Sequence, residues 1–421
     1  MSKQHACRSC GERKLCSVLW LGATSLGGAL LTDAELGAPE YTAELELVFC
    51  PVCTLAQITE TVPAEMLYSR SYPCYASVSP ALSRHYAASA GRLIESRGLG
   101  PTSFVLEASS NDGCMLRHFA ERGIPTLGIE PIAGPAEAAK RIGVSTLNTF
   151  FTRELAYYLR NQCGLTVELF LANNVLAQVA DLNGFVEGVQ VLLRDDGVAV
   201  IEVPYLISLI ENVAFDTIYH QHLCYFSATA LDTLFRRHSL YLNEVERTDM
   251  HGGSLRLFVE KREAVGDSTR ALLHRERGGI DSWLQVYSEF NERVQKLRES
   301  LLNLLHSIRR SGGRIAAYGA AAKATTLLTY CGIDSTLIDY IVDLNPRKHG
   351  KFMGGSRIPI CPVARLMENK PDYVLLLAWS FCDEILRQQA SYLGSGGQFI
   401  IPVPEPRVVS SLEAAIPGAF C

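Results

Sequence analysis

Four cysteines, set as two Cys-x-x-Cys pairs at Cys7/Cys10 and Cys50/Cys53, constrain this chain more than any other feature. Each pair offers two thiolates on one tight turn, and together they make the tetrahedral sulfur set that a structural zinc takes. The segment that carries them, residues 1–66, reads as short strands joined by Gly-rich connections. So small a region buries too little apolar surface to hold itself together, and an internal cross-link is expected. With all four ligand positions filled by protein, the zinc would be structural and would leave no open site for chemistry. Cys16 and Cys74 stand outside the pattern and read as packed thiols.

The chain has 421 residues, too many for one ordinary core, so two or three domains are expected. A formal net charge of −5 and the lack of a basic stripe exclude a surface built to neutralise nucleic-acid phosphates. The N-terminus lacks the apolar run of a signal peptide, and no later segment approaches bilayer-spanning length. A cytoplasmic, membrane-free protein is the expectation. Its thirteen cysteines are then thiols or metal ligands, because that compartment keeps disulfides reduced.

Beyond the knuckles the pattern alternates strand and helix. Residues 67–262 read as a second domain, with strands at Ser103–Glu107, Thr126–Glu130, Glu168–Ala172, Gly197–Glu202 and Ser254–Val259, and a helix over Cys114–Arg122. Such alternation predicts a doubly wound, mostly parallel sheet. Residues 263–421 open with an amphipathic helix over Ile280–Arg310, where Trp283, Val286, Phe290, Val294, Leu297, Leu301 and Leu305 recur at helical spacing. After Gly312-Gly313 a second alternation begins, with strands at Arg314–Gly319, Ile338–Asp343 and Tyr373–Leu377. The fold class is therefore α/β: a small zinc-binding N-terminal domain, a central Rossmann-like domain and a C-terminal Rossmann-like domain.

Two stretches carry chemistry. The turn from Glu107 through Ser109, Asn111 and Asp112 to Gly113, followed by a strand ending at Glu130-Pro131, has the layout of a nucleotide or adenosine site, with Glu130 placed to accept ribose hydroxyls. Its single glycine provides no pyrophosphate cradle, so a cofactor without phosphates, S-adenosylmethionine, fits better. The other stretch is Phe215-Asp216-Thr217-Ile218-Tyr219-His220-Gln221-His222. A histidine that titrates near neutrality beside a tyrosine donor can move a proton and hold the oxygen that receives the charge.

These segments, with the knuckles, Glu202-Val203-Pro204-Tyr205, His251-Gly252-Gly253-Ser254, Tyr318-Gly319-Ala320, Lys323, Asp343, Asn345-Pro346, Lys348 and Gly350-Lys351, occur in the order and spacing of a known family. The chain resembles the S-adenosylmethionine-dependent sugar C-methyltransferases, which methylate a ring carbon of nucleotide-linked 4-keto-deoxysugars. The resemblance implies His222 as general base, with Tyr219 and Tyr72 at the sugar. It implies Glu107, Ser109, Asn111, Asp112, Gly113, Glu130, Pro131, Asn173 and Asn174 at the cofactor. Gln178, Glu202, Tyr205, Gln221, His251, Lys323 and Lys351 would face the substrate, and the lysines could meet its diphosphate. His220 reads as a spectator.

Three positions depart from the family: Ser109 stands where glycine is usual, Gln178 replaces a common histidine, and Gln221 replaces the glutamate before the base. A neutral amide orients an imidazole without stabilising its charged form. The expected activity is methyl transfer to C3 of a dTDP-linked 4-keto-deoxyhexose by a monomeric enzyme. A non-catalytic sugar-nucleotide or adenosine binder, and a methyltransferase acting on another carbon or oxygen, are the alternatives left open.

Overall fold

The computed structural model describes residues 2–68 and 75–412. Tyr72 and Cys74 lie outside these residues, so their readings rest on sequence alone. Near the N-terminus, β1 (Cys16–Ser25), β2 (Thr42–Phe49) and β3 (Ala56–Ile58) form an antiparallel sheet. Along β2, Ala43, Leu45 and Leu47 are buried while Thr42 and Glu44 are exposed, the two-residue period of a strand with one wet face. Both knuckles lie beyond strand ends and are closed alike: Gly11 N–H donates to the Cys7 carbonyl at 2.9 Å and Thr54 N–H to the Cys50 carbonyl at 3.0 Å.

Helix α1 (Pro80–Arg97) leads into the central sheet. Ser79 caps it by accepting from Leu82 N–H, Pro80 opens its first turn, and Gly98 closes it in the left-handed region. Strands β4 (Val105–Ala108), β5 (Thr126–Ile129), β6 (Thr146–Leu147), β7 (Val167–Asn173) and β8 (Leu193–Pro204) pair in parallel. The next strand, β9 (Cys224–Tyr225), leaves this sheet and pairs antiparallel with β3. Strands β10 (Tyr241–Thr248) and β11 (Ser254–Glu260) return and add antiparallel beside β8. Counted along the chain, the seven strands stand in the order 3-2-1-4-5-7-6.

The helix expected over Cys114–Arg122 is one turn, Arg117–Ala120. Left-handed backbone at Ser109, Asn111 and Gly113 delays the helix, Met115 and Leu116 are already buried against the sheet, and left-handed Gly123 ends it. By contrast, α2 spans Ile280–Arg310 as its periodicity predicts, with Val286 half-buried and Tyr287 taking the neighbouring core position. At 31 residues it runs about 46 Å from the first sheet to the last.

That last sheet comprises β12 (Ile315–Tyr318), β13 (Ile341–Asp343), β14 (Ile360–Pro362), β15 (Tyr373–Leu376), β16 (Gln398–Ile401) and β17 (Arg407–Val409). Its spatial order, counted the same way, is 3-2-1-4-5-6, parallel except at β17. Helix α3 (Ala322–Cys331) follows β12. Each Rossmann-like sheet therefore has a switch point, between β4 and β7 in one and between β12 and β15 in the other, and ligands of such sheets bind outside the carboxyl ends there. Among the described residues no helix is long and apolar enough to cross a membrane.

Trp283 joins α2 to the first sheet, its ring 5.7 Å from that of Phe49. Trp283→Ala is expected to cost about 3–5 kcal/mol and to lower the denaturant midpoint of unfolding followed by circular dichroism. An unchanged midpoint would contradict an anchoring role.

Candidate functional site

At the central switch point, β4 ends near Glu107 and β7 at Asn173, and the Asn173 amide donates to Glu107 Oε1 at 3.0 Å. The turn between β4 and the following helix is left-handed at Ser109 (φ 57°), Asn111 (φ 49°) and Gly113 (φ 75°). A serine in that conformation carries strain that a glycine would not. Glu130, just past β5, accepts from Asn111 N–H at 2.9 Å and Ile132 N–H at 2.8 Å, and the Asn148 amide bonds the carbonyls of Glu130 and Pro131. Asn111 and Asp112 accept from the backbone N–H groups of Ala76 and Ser77, so the approach to α1 is stitched across the turn.

Three buried acceptors at this crevice, Glu107 Oε2, Asp112 Oδ1 and Asn174 Oδ1, have no partner among the described residues. Burial pushes the Glu107 carboxyl up to about 8 and that of Glu130 to about 7. A crevice of unsatisfied acceptors suits a ligand rich in hydroxyl and cationic donors, as S-adenosylmethionine is.

Asn174 also links this crevice to the histidine cluster. The Gln178 amide donates to the Asn174 carbonyl at 2.7 Å and accepts from the Tyr68 hydroxyl at 2.8 Å. Its neighbour Ala177 accepts from Leu223 N–H at 2.7 Å, directly after His222. In that loop the Tyr219 hydroxyl lies 2.9 Å from His222 Nε2, and their rings are 4.4 Å apart. Burial, with the nearby His251, lowers His222 to about 3, which keeps the imidazole neutral. His222 Nδ1 and Gln221 Nε2 are both buried without a partner among the described residues. His220 is turned away, bonded to the Glu44 carbonyl at 3.1 Å.

The other substrate candidates are more scattered. Glu202 lies 2.9 Å from His85 Nε2 and 3.0 Å from Arg256. Burial would raise its carboxyl, but these contacts outweigh burial and hold it below the usual range. The Tyr205 hydroxyl donates to Glu276 at 2.8 Å, in a cluster where Glu276 also accepts from Ala228 and Thr229 N–H. His251 has left-handed backbone (φ 58°), and its ring centroid is 6.5 Å from that of Phe381. Lys323 lies over the Trp379 ring, and Lys351 is a half-buried residue on the loop before β14.

At the second switch point a cleft of about 350 Å³ opens between the C-terminal sheet and the segment that enters α1. Gly319, Ala320 and Asn345 line one wall and Tyr75 and Leu82 the other. The lysine on this cleft is Lys348, which donates to the Ala320 carbonyl and to Asp343 Oδ2 at 2.8 and 3.0 Å. Sequence reasoning placed no role on His85, Arg256 or Trp379. His85 and Arg256 are remote in sequence from Glu202, and only the need of a buried carboxylate for partners could have pointed to them.

The four knuckle sulfurs lie within 4.8 Å of one another, with Cys7 and Cys53 at 3.4 Å and Cys10 and Cys50 at 3.5 Å. This all-thiolate donor set fits a closed, structural zinc.

Family models match the chain in sequence order: a candidate zinc binding domain at residues 7–68, a methyltransferase domain at 83–245 and a C-methyltransferase C-terminal domain at 249–404. The C-methyltransferase NovU of Streptomyces niveus is 34% identical over 408 residues, which is 96% of this chain and 97% of that one. Among solved structures the chain is similar to 1,6-didemethyltoxoflavin-N1-methyltransferase of Burkholderia thailandensis (16% identity, TM-score 0.35, 52% of this chain and 96% of that one). It is also similar to an S-adenosylmethionine-dependent methyltransferase of Clostridium acetobutylicum (9% identity, TM-score 0.34, 44% and 92%).

Glu107 and Glu130 hold protons to about 8 and 7, well above the ordinary value of 4.5, so their contribution to stability is complete only below about pH 4.5 and is lost as pH rises from there to 7 and 8. A ligand that needs them ionised should bind more tightly across the same window, by up to about tenfold per pH unit for each group. Calorimetry with S-adenosylhomocysteine, in buffers of different ionisation enthalpy, should register proton release. Affinity independent of pH, with no proton exchanged, would count against these carboxylates.

Cys53→Ser removes one zinc ligand. The variant is expected to lose bound zinc by elemental analysis and to melt at lower temperature, as metal binding is coupled to folding. Retention of a full zinc equivalent would refute the four-sulfur set.

Proposed function

The chain belongs to the S-adenosylmethionine-dependent C-methyltransferase family, and from that premise we propose that its acceptor is C3 of a nucleotide-linked 4-keto-deoxyhexose, carried on dTDP. The enzyme would act in the cytoplasm, as a monomer, in deoxysugar biosynthesis. The observation that carries this reading is the Tyr219–His222 pair, 2.9 Å from hydroxyl to ring nitrogen, on a buried loop bonded through Ala177 to the segment that ends at the cofactor crevice.

A ketone at C4 acidifies the hydrogen on C3, and removal of that proton leaves an enolate whose carbon is the nucleophile. Bound S-adenosylmethionine supplies the electrophilic methyl group. His222 is the base. Burial keeps its ring neutral, and in the tautomer that directs Nε2–H at the Tyr219 oxygen, Nδ1, which has no partner among the described residues, takes the proton. In this reading the Tyr219 O–H donates to the keto oxygen as negative charge develops there. Tyr72 is assigned to the same sugar. Gln178 and Gln221 orient groups at the site without adding charge, while Glu202, paired with Arg256 and His85, shapes the wall. Lys348, paired with Asp343, lies on the second cleft, and Lys323, in the first turn of α3, lies behind its Gly319–Ala322 edge against Trp379; the N-terminal amides of α3 at that edge would favour a diphosphate. In this reading Lys351 supports the outer end of that cleft, and His251 closes the side towards Phe381.

His222→Ala is expected to reduce methyl transfer about 100-fold to 10,000-fold while sparing S-adenosylhomocysteine binding, and Tyr219→Phe to slow it less. Mass spectrometry against a panel of dTDP- and GDP-linked 4-keto sugars reads both the acceptor and the loss. Undiminished turnover by His222→Ala would remove the base from the mechanism, and methylation only of non-keto acceptors would remove the enolate.

A further inference from the structure

Trp379 is fully buried, and the mechanism above assigns it nothing. Its indole N–H donates to Asp216 Oδ2 at 2.6 Å, and Asp216, also fully buried, lies three residues before Tyr219. The other Asp216 oxygen has no partner among the described residues. On the face of the same indole rests the Lys323 ammonium, 3.5 Å from the ring centroid and 3.2 Å from Ser380 Oγ. The C-terminal domain grips this loop at further points: Thr326 Oγ donates to the Ile218 carbonyl at 2.8 Å, and the Phe215 and Tyr330 rings meet edge-on at 5.2 Å.

Two glycines make the close approach sterically feasible. A Cβ on Gly252, at φ 92°, would lie 2.7 Å from the Trp379 ring, and one on Gly27 would lie 3.1 Å from both Tyr219 Cδ2 and the Ala322 carbonyl oxygen. Ala378 and Phe381, which flank Trp379 and Ser380, line the second cleft, as do Ala321 and Ala322 immediately before Lys323. The indole thus stands between that cleft and the loop that carries the candidate base.

We propose that Trp379 is a positioning residue for methyl transfer, holding Asp216 through its indole N–H and so fixing the Tyr219–His222 loop against the wall of the second cleft. The proposal rests on the reading of Tyr219 and His222 as the reacting pair. A carboxylate without solvent needs donors to stay ionised, and burial pushes Asp216 up while Lys323 and Trp379 oppose that shift. A cation over the ring face draws electron density from the indole and sharpens its N–H as a donor. Occupancy of the cleft by the nucleotide end of the acceptor presses on the two segments that carry Lys323 and Trp379. The acceptor's remote half thereby helps to set the geometry at its reacting carbon.

Trp379→Phe keeps the ring and the contact with the ammonium but deletes the N–H. In the full-length, zinc-loaded protein, kcat is expected to fall about 10-fold to 100-fold, while KM for the sugar nucleotide and affinity for S-adenosylhomocysteine stay near their wild-type values. Asp216→Asn, which can still accept from the indole through its amide oxygen, should lose less. Combining the two substitutions should cost no more than Trp379→Phe alone, since both act through one hydrogen bond. Wild-type kcat in Trp379→Phe overturns the proposal, as does a joint loss of kcat, KM and cofactor affinity, which would mark a general structural role. If Trp379→Phe does not fold, Asp216→Asn and Thr326→Val serve as the test, and unchanged kcat in both overturns the proposal. Wild-type protein inert on every acceptor in the panel would instead reject the functional reading on which the proposal stands.

Discussion

A carboxylate that no water reaches has to be met by fixed donors, and Asp216 is such a group at the junction of the central and C-terminal domains. Its partner, Trp379, comes from 163 residues further along the chain, and the Lys323 ammonium that covers the same indole comes from a third segment. The loop between Asp216 and Leu223 is held by these contacts together with the bonds from Leu223 N–H to the Ala177 carbonyl and from Thr326 to the Ile218 carbonyl. The candidate base thus sits on a loop that contacts both domains.

Both Rossmann-like sheets obey the same physics. Parallel strands with helical crossovers leave a crevice where strand order reverses, and here the two crevices are lined in contrasting ways. The central one presents buried carboxyl and amide oxygens at Glu107, Asp112 and Asn174. The C-terminal one presents the opening turn of α3 and Lys348. The central lining suits a donor-rich, cationic ligand, whereas in the C-terminal cleft Lys348 is paired with Asp343. The approach to α1 touches both, through Ala76 and Ser77 on the Asn111–Asp112 turn and through Tyr75 and Leu82 on the cleft. Helix α2 ties the first sheet to the last, so the three parts share one continuous core.

Much of this was legible in sequence because it repeats locally. The α2 periodicity predicted its limits, with Tyr287 sharing the core face where Val286 alone was expected, and the knuckle spacing anticipated a compact group of four sulfurs. Glu107 is bonded by Asn173, Gln178 bonds the Asn174 carbonyl, and Ala177 accepts from Leu223 just after His222, so these short motifs lie on neighbouring segments. Other features escaped a local reading. The antiparallel return of β10 and β11, and the departure of β9 to the N-terminal sheet, are pairing choices that hydrophobic pattern alone does not encode. The helix expected after Gly113 is one turn, Arg117–Ala120, between a turn over 114–116 and left-handed Gly123.

The sequence by itself determined which chemical groups exist and which short segments can form: the thiolates, the two strand-turn-helix units, and a tyrosine three residues from a histidine. Those depend on spacing and backbone preference, which act over a few residues. Only the tertiary structure decided that Glu202 is paired with Arg256 and His85, that the Tyr205 hydroxyl is taken by Glu276, and that Trp379 closes on Asp216. Buried polar groups must find partners wherever the packed chain supplies them, and that supply is set by the meeting of segments far apart in sequence.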